Sequence, residues 1–459
     1  MRGSDALDRL SSQDLSSLRV ESRGVAMHVA ALAILDGARL RDPEGELRQQ
    51  ELRAEVERRL HLAPRLRQVL VQPPFGGGRP LWVDDARFDI SKHVRTRAVD
   101  PPGDEGALLA ACAELDEPPL DRSRPPWELW FLTGLADGGV GMLIRLHHVV
   151  ADGVASVALL GSLFDAPPGA PAIGTSTWVP APPPPARAMR IDNAHRRAAA
   201  VRRACAGLVH PDVWSRRLVA QARAAKDALG GGRAPDTSIN VPVAGRRRIS
   251  LARADLERAR EVAHAHGGTI NDVVLAAVAG GARALLGRRG EAVAGGTLRA
   301  SVPVSIRGSA DRPSDGNLVA LMVVSLPVGE PDPARRLQTI ARETTRLKRR
   351  PHATGSLPGP AVVQRAFVAM MHRQRLVNLF TSNVPGPPTP VSFVGAPVRE
   401  VFQIGVVQGN VAIAVGALSY AGRLNIDVVA DAAAVPDLEV FADGLRRSLD
   451  ELGVAVPRA

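Results

Sequence analysis

Two adjacent histidines and a following aspartate-glycine pair, in Leu146-His147-His148-Val149-Val150-Ala151-Asp152-Gly153, concentrate the side chains best able to do chemistry. Imidazole, with an ordinary pKa near 6.5, suits proton abstraction close to neutrality. How firmly it is mounted then matters. Upstream, Val140, Met142, Ile144, Leu146 and His148 share one parity, and Gly141, Leu143, Arg145 and His147 share the other. A period of two predicts a strand whose two histidines point to opposite faces. Downstream, Val154, Val157, Leu160 and Phe164 recur at helical spacing, with Asp152 placed as the helix N-cap. His148 is therefore expected at a strand end, before a turn into a helix, as a general base. Two other readings stand beside this one. A pair of core histidines with an ordinary Asp-Gly turn is the more common state of any single histidine. A metal site is weaker, because neighbouring strand residues diverge and do not readily close on one ion.

The 459 residues suffice for two domains with a sizeable core. Hydrophobic residues make up 45 % and recur periodically, as in a globular chain. The net charge of +11 comes mostly from arginines dispersed along the chain, and aromatic residues are 3 % with one tyrosine. That is poor material for stacking bases, so nucleic acid is not an expected partner. Cys112 and Cys205 are the two cysteines, without metal-ligand spacing, so neither a disulfide framework nor a zinc site is expected. The polar N-terminus shows no signal peptide, and the longest apolar runs fall short of the roughly 20 residues that span a bilayer. A cytoplasmic location is expected.

Along the chain, 26–35 suggests a buried strand ending in an Asp-Gly turn, in which a satisfied core role is the stronger reading of His28. Residues 45–61 suggest an amphipathic helix. Prolines crowd 165–187, as in an extended crossover, and 190–229 look helical and basic, broken near His210-Pro211. Such a helix would dock on anionic lipid or an oil-droplet surface, although a solvated helix packed on its own protein ranks slightly ahead. Strands and helices then alternate again. The expected division is 1–165, 166–235 and 236–459. Thr269 and Asp272 fit a capping box opening an apolar helix, which explains Asp272 without chemistry.

Several ordered motifs accompany the histidines: Pro80-Leu81-Trp82, Leu120-Asp121 running to Pro126-Trp127-Glu128, Asn271-Asp272, Ser301-Val302-Pro303-Val304-Ser305-Ile306-Arg307, Asn383-Val384-Pro385-Gly386-Pro387, and Ser419-Tyr420-Ala421-Gly422 with Asp427. With His-His-x-x-x-Asp-Gly among them, the chain resembles the bacterial wax ester synthase/diacylglycerol acyltransferase family of coenzyme A-dependent acyltransferases, from about residue 14 to about residue 452. The resemblance implies an α/β fold of two chloramphenicol-acetyltransferase-like domains with mixed sheets, joined by the Pro-rich crossover, with the active-site channel between them. It implies transfer of a long-chain acyl group from acyl-CoA, as co-substrate and with no further cofactor, to diacylglycerol or a long-chain alcohol. Peripheral contact with the inner membrane face or a lipid droplet goes with that activity. By the same carry-over His148 is the base, His147 and Gly153 support it, Asp152 is structural, and Asn271 with Asp272 borders the substrate. For that last pair, capping is a comparably strong reading. An acyltransferase acting on a specialised-metabolite hydroxyl or amine, and a non-catalytic lipid-binding homologue, are the alternatives.

Overall fold

Alternation and capping residues translate directly into elements. The computed structural model describes residues 7–11, 14–15, 18, 21, 27–150, 161–166, 178–209, 232–293, 295–305, 319–349 and 373–456. The first part comprises β1 (His28–Leu35), α1 (Gln49–Arg59), β2 (Gln68–Val71), β3 (Leu81–Asp84), β4 (Val94–Ala98), α2 (Glu105–Asp116), β5 (Trp127–Thr133) and β6 (Val140–His147). Helix α3 (Ala186–Val209) follows the prolines. Next come β7 (Arg247–Asp255), α4 (Leu256–Ala265), α5 (Ile270–Arg288), β8 (Leu298–Ser305), β9 (Val319–Leu326) and α6 (Pro333–Lys348). The last are β10 (Leu379–Pro385), β11 (Ser392–Phe393), β12 (Ala396–Ile404), β13 (Ile413–Tyr420), β14 (Arg423–Asp431) and α7 (Leu438–Glu451). Asp104, Asp255 and Asp332 cap α2, α4 and α6 by accepting backbone amides of the first turn.

The strands form two six-stranded mixed sheets, ordered β11-β12-β1-β6-β5-β4 and β7-β14-β13-β10-β8-β9, plus the β2-β3 pair. On the first sheet, the parity read from β6 is obeyed. Val140, Met142, Ile144 and Leu146 face a core closed by Leu52 and Val56 of α1, while Leu143 faces Leu108, Leu109 and Cys112 of α2. Ile249 and Leu251 of β7 join that second core, so α2 is packed between the two sheets. A third core lies on the far side of the second sheet, where α4, α5, α6 and α7 cover it. Helix α5 is long and apolar enough to cross a bilayer by composition, yet it is largely buried in this core. Burying each of its Val and Leu side chains is worth about 1.5–3 kcal/mol.

The two halves exchange chain. Strands β11 and β12 follow β10 of the second sheet but belong to the first, with Ala30 paired to Ile404 and Leu35 to Val398. Their hairpin turn places Val394 at φ 52° and Gly395 at φ 72°. Positive φ is natural for glycine and strained for a β-branched residue. Asp165 holds the turn: its carboxylate accepts the Val394 and Gly395 amides at 3.0 and 2.8 Å, the Ser392 hydroxyl at 2.7 Å and the Arg59 guanidinium at 2.6 Å. Burial works to raise its pKa, but the Ser392, Arg59 and Gly395 donors more than offset that and bring it to about 2.

Candidate active site

Strand β6 ends at His147, and His148 opens the turn that follows. Both residues are clamped through their backbones by the flanking strands. The His147 amide donates to the Pro126 carbonyl at 3.0 Å, just before β5, and the His148 amide donates to the Met27 carbonyl at 2.9 Å, just before β1. A further bond from the Val150 amide to the His147 carbonyl, 2.8 Å, closes the turn. The His147 side chain is fully buried, whereas His148 is half-buried. Val149 packs with Leu10 and Trp82, so the Pro80-Leu81-Trp82 motif buttresses the turn that carries His148. Asp152 and Gly153 lie outside the described residues.

The face of β6 that carries His147 is unusually charged for a buried strand. Arg145, two residues upstream, is buried and paired with Glu128 at 3.0 Å. His28 lies opposite His147 in the β1–β6 register and reaches Asp116 of α2 at 2.7 Å, as the core reading of His28 anticipated. Burial works to raise the Asp116 pKa, but His28, Arg145 and Arg247 more than offset it and keep the carboxylate ionised. The parity pattern already placed Arg145 beside His147. Its partners come from α2 and β5, which local sequence does not name. Among the described residues no group of three or more His, Cys, Asp or Glu side chains could hold a metal ion.

Asn271 and Asp272 sit in the first turn of α5, Asn271 half-buried and Asp272 buried. One Asp272 oxygen accepts the Thr269 amide at 2.7 Å and hydroxyl at 2.8 Å, and the other accepts the Thr344 hydroxyl at 2.8 Å. These are the contacts of a helix cap anchored to α6. A cleft of about 660 Å³ does open between the two sheets. It is lined by Ile34, Asp137, Arg253 and Arg399, at the end of β1 and β6 remote from His148. Its arginines are largely occupied, Arg253 by Glu400 and Glu105 and Arg399 by Asp137.

Asp427, named above only as a motif residue, is also a buried carboxyl, which the sequence did not signal. Asp427 on β14 pairs in register with Gly416, and a Cβ on Gly416 would lie 2.1 Å from its Oδ1. One Asp427 oxygen accepts the Gly405 amide at 3.1 Å, just past β12, while the other has no hydrogen-bond partner among the described residues. Burial pushes its pKa up to about 8. Asp427 thus stands where β12 leaves one sheet for the other.

Two sheet-rich halves, with a histidine clamped at a strand end of the first, define the class of the two-domain acyltransferase fold. The sequence matches the wax ester synthase/diacylglycerol acyltransferase catalytic domain over residues 10–274 and the corresponding C-terminal domain over residues 315–453. A Mycobacterium tuberculosis H37Rv protein named "Probable diacyglycerol O-acyltransferase tgs1" is 31 % identical, over 97 % of this chain and 96 % of its own. The solved wax ester synthase/diacylglycerol acyltransferase of Marinobacter aquaeolei VT8 superposes with a TM-score of 0.66 at 24 % identity, covering 97 % of this chain and 98 % of that one. A mutant starter condensation domain of rhizomide synthetase, solved in complex with C8-CoA, superposes at 0.56 and 16 % identity, covering 98 % and 95 %. This chain belongs to the wax ester synthase/diacylglycerol acyltransferase family.

Proposed function

We propose that the chain transfers a long-chain acyl group from acyl-CoA to the hydroxyl of diacylglycerol or of a long-chain alcohol, with His148 as general base. The observation that carries this is His148 itself, presented half-buried on a turn whose backbone two strands hold, in a chain of this family. The imidazole takes the hydroxyl proton as the alcohol oxygen attacks the thioester carbon, and returns it to the departing CoA sulfur. Positioned proton transfer of this kind typically contributes about 10²–10⁴-fold. Thiolate is already a good leaving group, so base, alignment and oxyanion stabilisation suffice. Asn271, at the positive end of the α5 dipole, is the side chain we assign to the oxyanion.

A cytoplasmic protein that touches the inner membrane face or a lipid droplet fits this chemistry, since both acceptors are insoluble. Support comes from α3, which exposes Arg187, Arg190, Arg197 and Arg202 beside Ile191 and Val201. Phe75, on the β2–β3 connection tied to α3 through Asn193, is 99 % exposed. Arginines with apolar side chains between them suit an anionic lipid surface.

The test is CoA thiol release from palmitoyl-CoA with 1,2-diacylglycerol, hexadecanol or no acceptor, with products separated and His148→Ala run in parallel. Acceptor-dependent release that collapses in the variant is expected, and the better acceptor identifies the substrate. Unchanged activity in His148→Ala would overturn the mechanism.

A further inference from the structure

The turn that presents His148 is held from behind by His147, and His147 has a hydrogen-bonding preference that can be derived. The Val149 amide lies 3.2 Å from His147 Nδ1. A backbone N–H can only donate, so Nδ1 carries its lone pair and the ring is neither an imidazolium nor the Nδ1–H tautomer. The ring hydrogen is therefore on Nε2. That nitrogen is fully buried and has no other partner among the described residues; Glu21 Oε1 faces it at 3.4 Å, within ion-pair range and just beyond ordinary hydrogen-bond distance.

Glu21 is nearly buried, with its side chain 8 % exposed. Burial works to raise its pKa, but His147, Arg122 and the Met27 amide more than offset this, so it stays ionised. Its contacts converge on the two clamps already described. Oε1 accepts the Met27 amide at 3.5 Å, and the Met27 carbonyl in turn accepts the His148 amide. Oε2 lies 3.4 Å from Arg122, in the segment leading to Pro126, whose carbonyl accepts the His147 amide. One carboxylate thus faces the His147 ring and both chain segments that grip the two histidines.

We propose that Glu21 is a positioning residue for acyl transfer: by accepting the His147 Nε2 hydrogen it locks the ring that holds the Val149 amide, and so fixes the turn presenting His148. The inference rests on His148 being the base. Without Glu21 the buried Nε2–H loses its acceptor, the ring is released to change tautomer, and the turn loses its internal support. The consequence belongs to kcat rather than to acyl-CoA binding, because no Glu21 atom is assigned to substrate.

The experiment compares full-length Glu21→Ala, Glu21→Gln and Glu21→Met. Misplacing a reacting group by a fraction of an ångström predicts a kcat loss of roughly ten- to hundred-fold in Glu21→Ala, with KM for palmitoyl-CoA within about twofold. Glu21→Gln, which keeps an acceptor oxygen, recovers most of the rate, and Glu21→Met, which only fills space, does not. In His147→Asn the asparagine oxygen replaces Nδ1 and nothing replaces Nε2, so adding Glu21→Ala there lowers kcat by less than about twofold more. Recovery by methionine, or losses that multiply in the double variant, would overturn the proposal. A readout independent of turnover is the long-range ¹⁵N–¹H spectrum of the histidine rings. His147 should show one Nε2–H tautomer in the wild type and a mixture in Glu21→Ala, and an unchanged spectrum would also overturn it. If His148→Ala retained full activity, the base assignment would fail by itself, and the spectrum would still decide the Glu21–His147 link.

Discussion

Replacing Asp427 with asparagine should change how stability depends on pH, not merely its level. In the unfolded chain this carboxyl loses its proton near the ordinary 3.8, whereas in the fold burial holds the proton until about 8. Between those values the unfolded state binds fewer protons than the folded one. Stability therefore falls as pH rises across the window, by about 1.4 kcal/mol per unit. Over the full window this comes to about 6 kcal/mol, with about 2–4 kcal/mol remaining once water penetration and local relaxation are allowed for. Asparagine has the same shape, can still accept the Gly405 amide and carries no proton to lose, so its curve lacks this slope. Fitting its amide beside Gln403, whose Nε2 would lie 2.4 Å from a Cβ on Gly416, adds a constant offset that leaves the slope alone. Urea-unfolding midpoints from pH 4.5 to pH 8.5 measure the effect. The difference between Asp427→Asn and wild type should shift steadily toward the variant as pH rises. Parallel curves across that range would refute the reasoning, because they would mean that Asp427 ionises in the fold as readily as in the unfolded chain.

Asp165 should act in the opposite sense. Its pKa is depressed to about 2 in the fold, so its contribution is fully present above about 3.8 and is lost as pH falls toward 2. Asp165→Ala should remove about 1–2 kcal/mol of that linkage at pH 7, allowing for partial solvent screening, and flatten the acid limb of a thermal-melting pH series. Thr344→Val should leave one Asp272 oxygen unpaired in the core and lower stability by about 1–3 kcal/mol, measured by urea unfolding. The same variant should keep its kcat per folded molecule. A fall in kcat without a fall in stability would place Asp272 in the reaction rather than in the helix cap.

Much of the site's mounting was legible locally. The alternation from Val140 to Leu146 predicted both the strand and its two faces, because side chains in a strand must alternate between environments. Thr269 and Asp272 announced the start of α5, since capping geometry involves residues a few positions apart. What stayed hidden has partners far away in the chain. Glu21 meets His147, Asp116 meets His28, and Asp165 meets Val394 and Gly395 only after the strands have paired. The Asp427 carboxyl reads as an ordinary strand residue until Gly416 and Gly405 close around it.

By itself, the sequence determined the α/β class, the histidine turn and the family, because each of these depends on residue types at short spacing and in a fixed order. Only the tertiary structure decided that β11 and β12 complete the first sheet, that Asp427 is enclosed where they cross, and which carboxylate stands behind His147. Those outcomes depend on strand pairing, and on the burial that pairing creates between residues from 11 positions apart, as Gly416 and Asp427 are, to 374, as Ala30 and Ile404 are. No local pattern of side chains encodes that proximity.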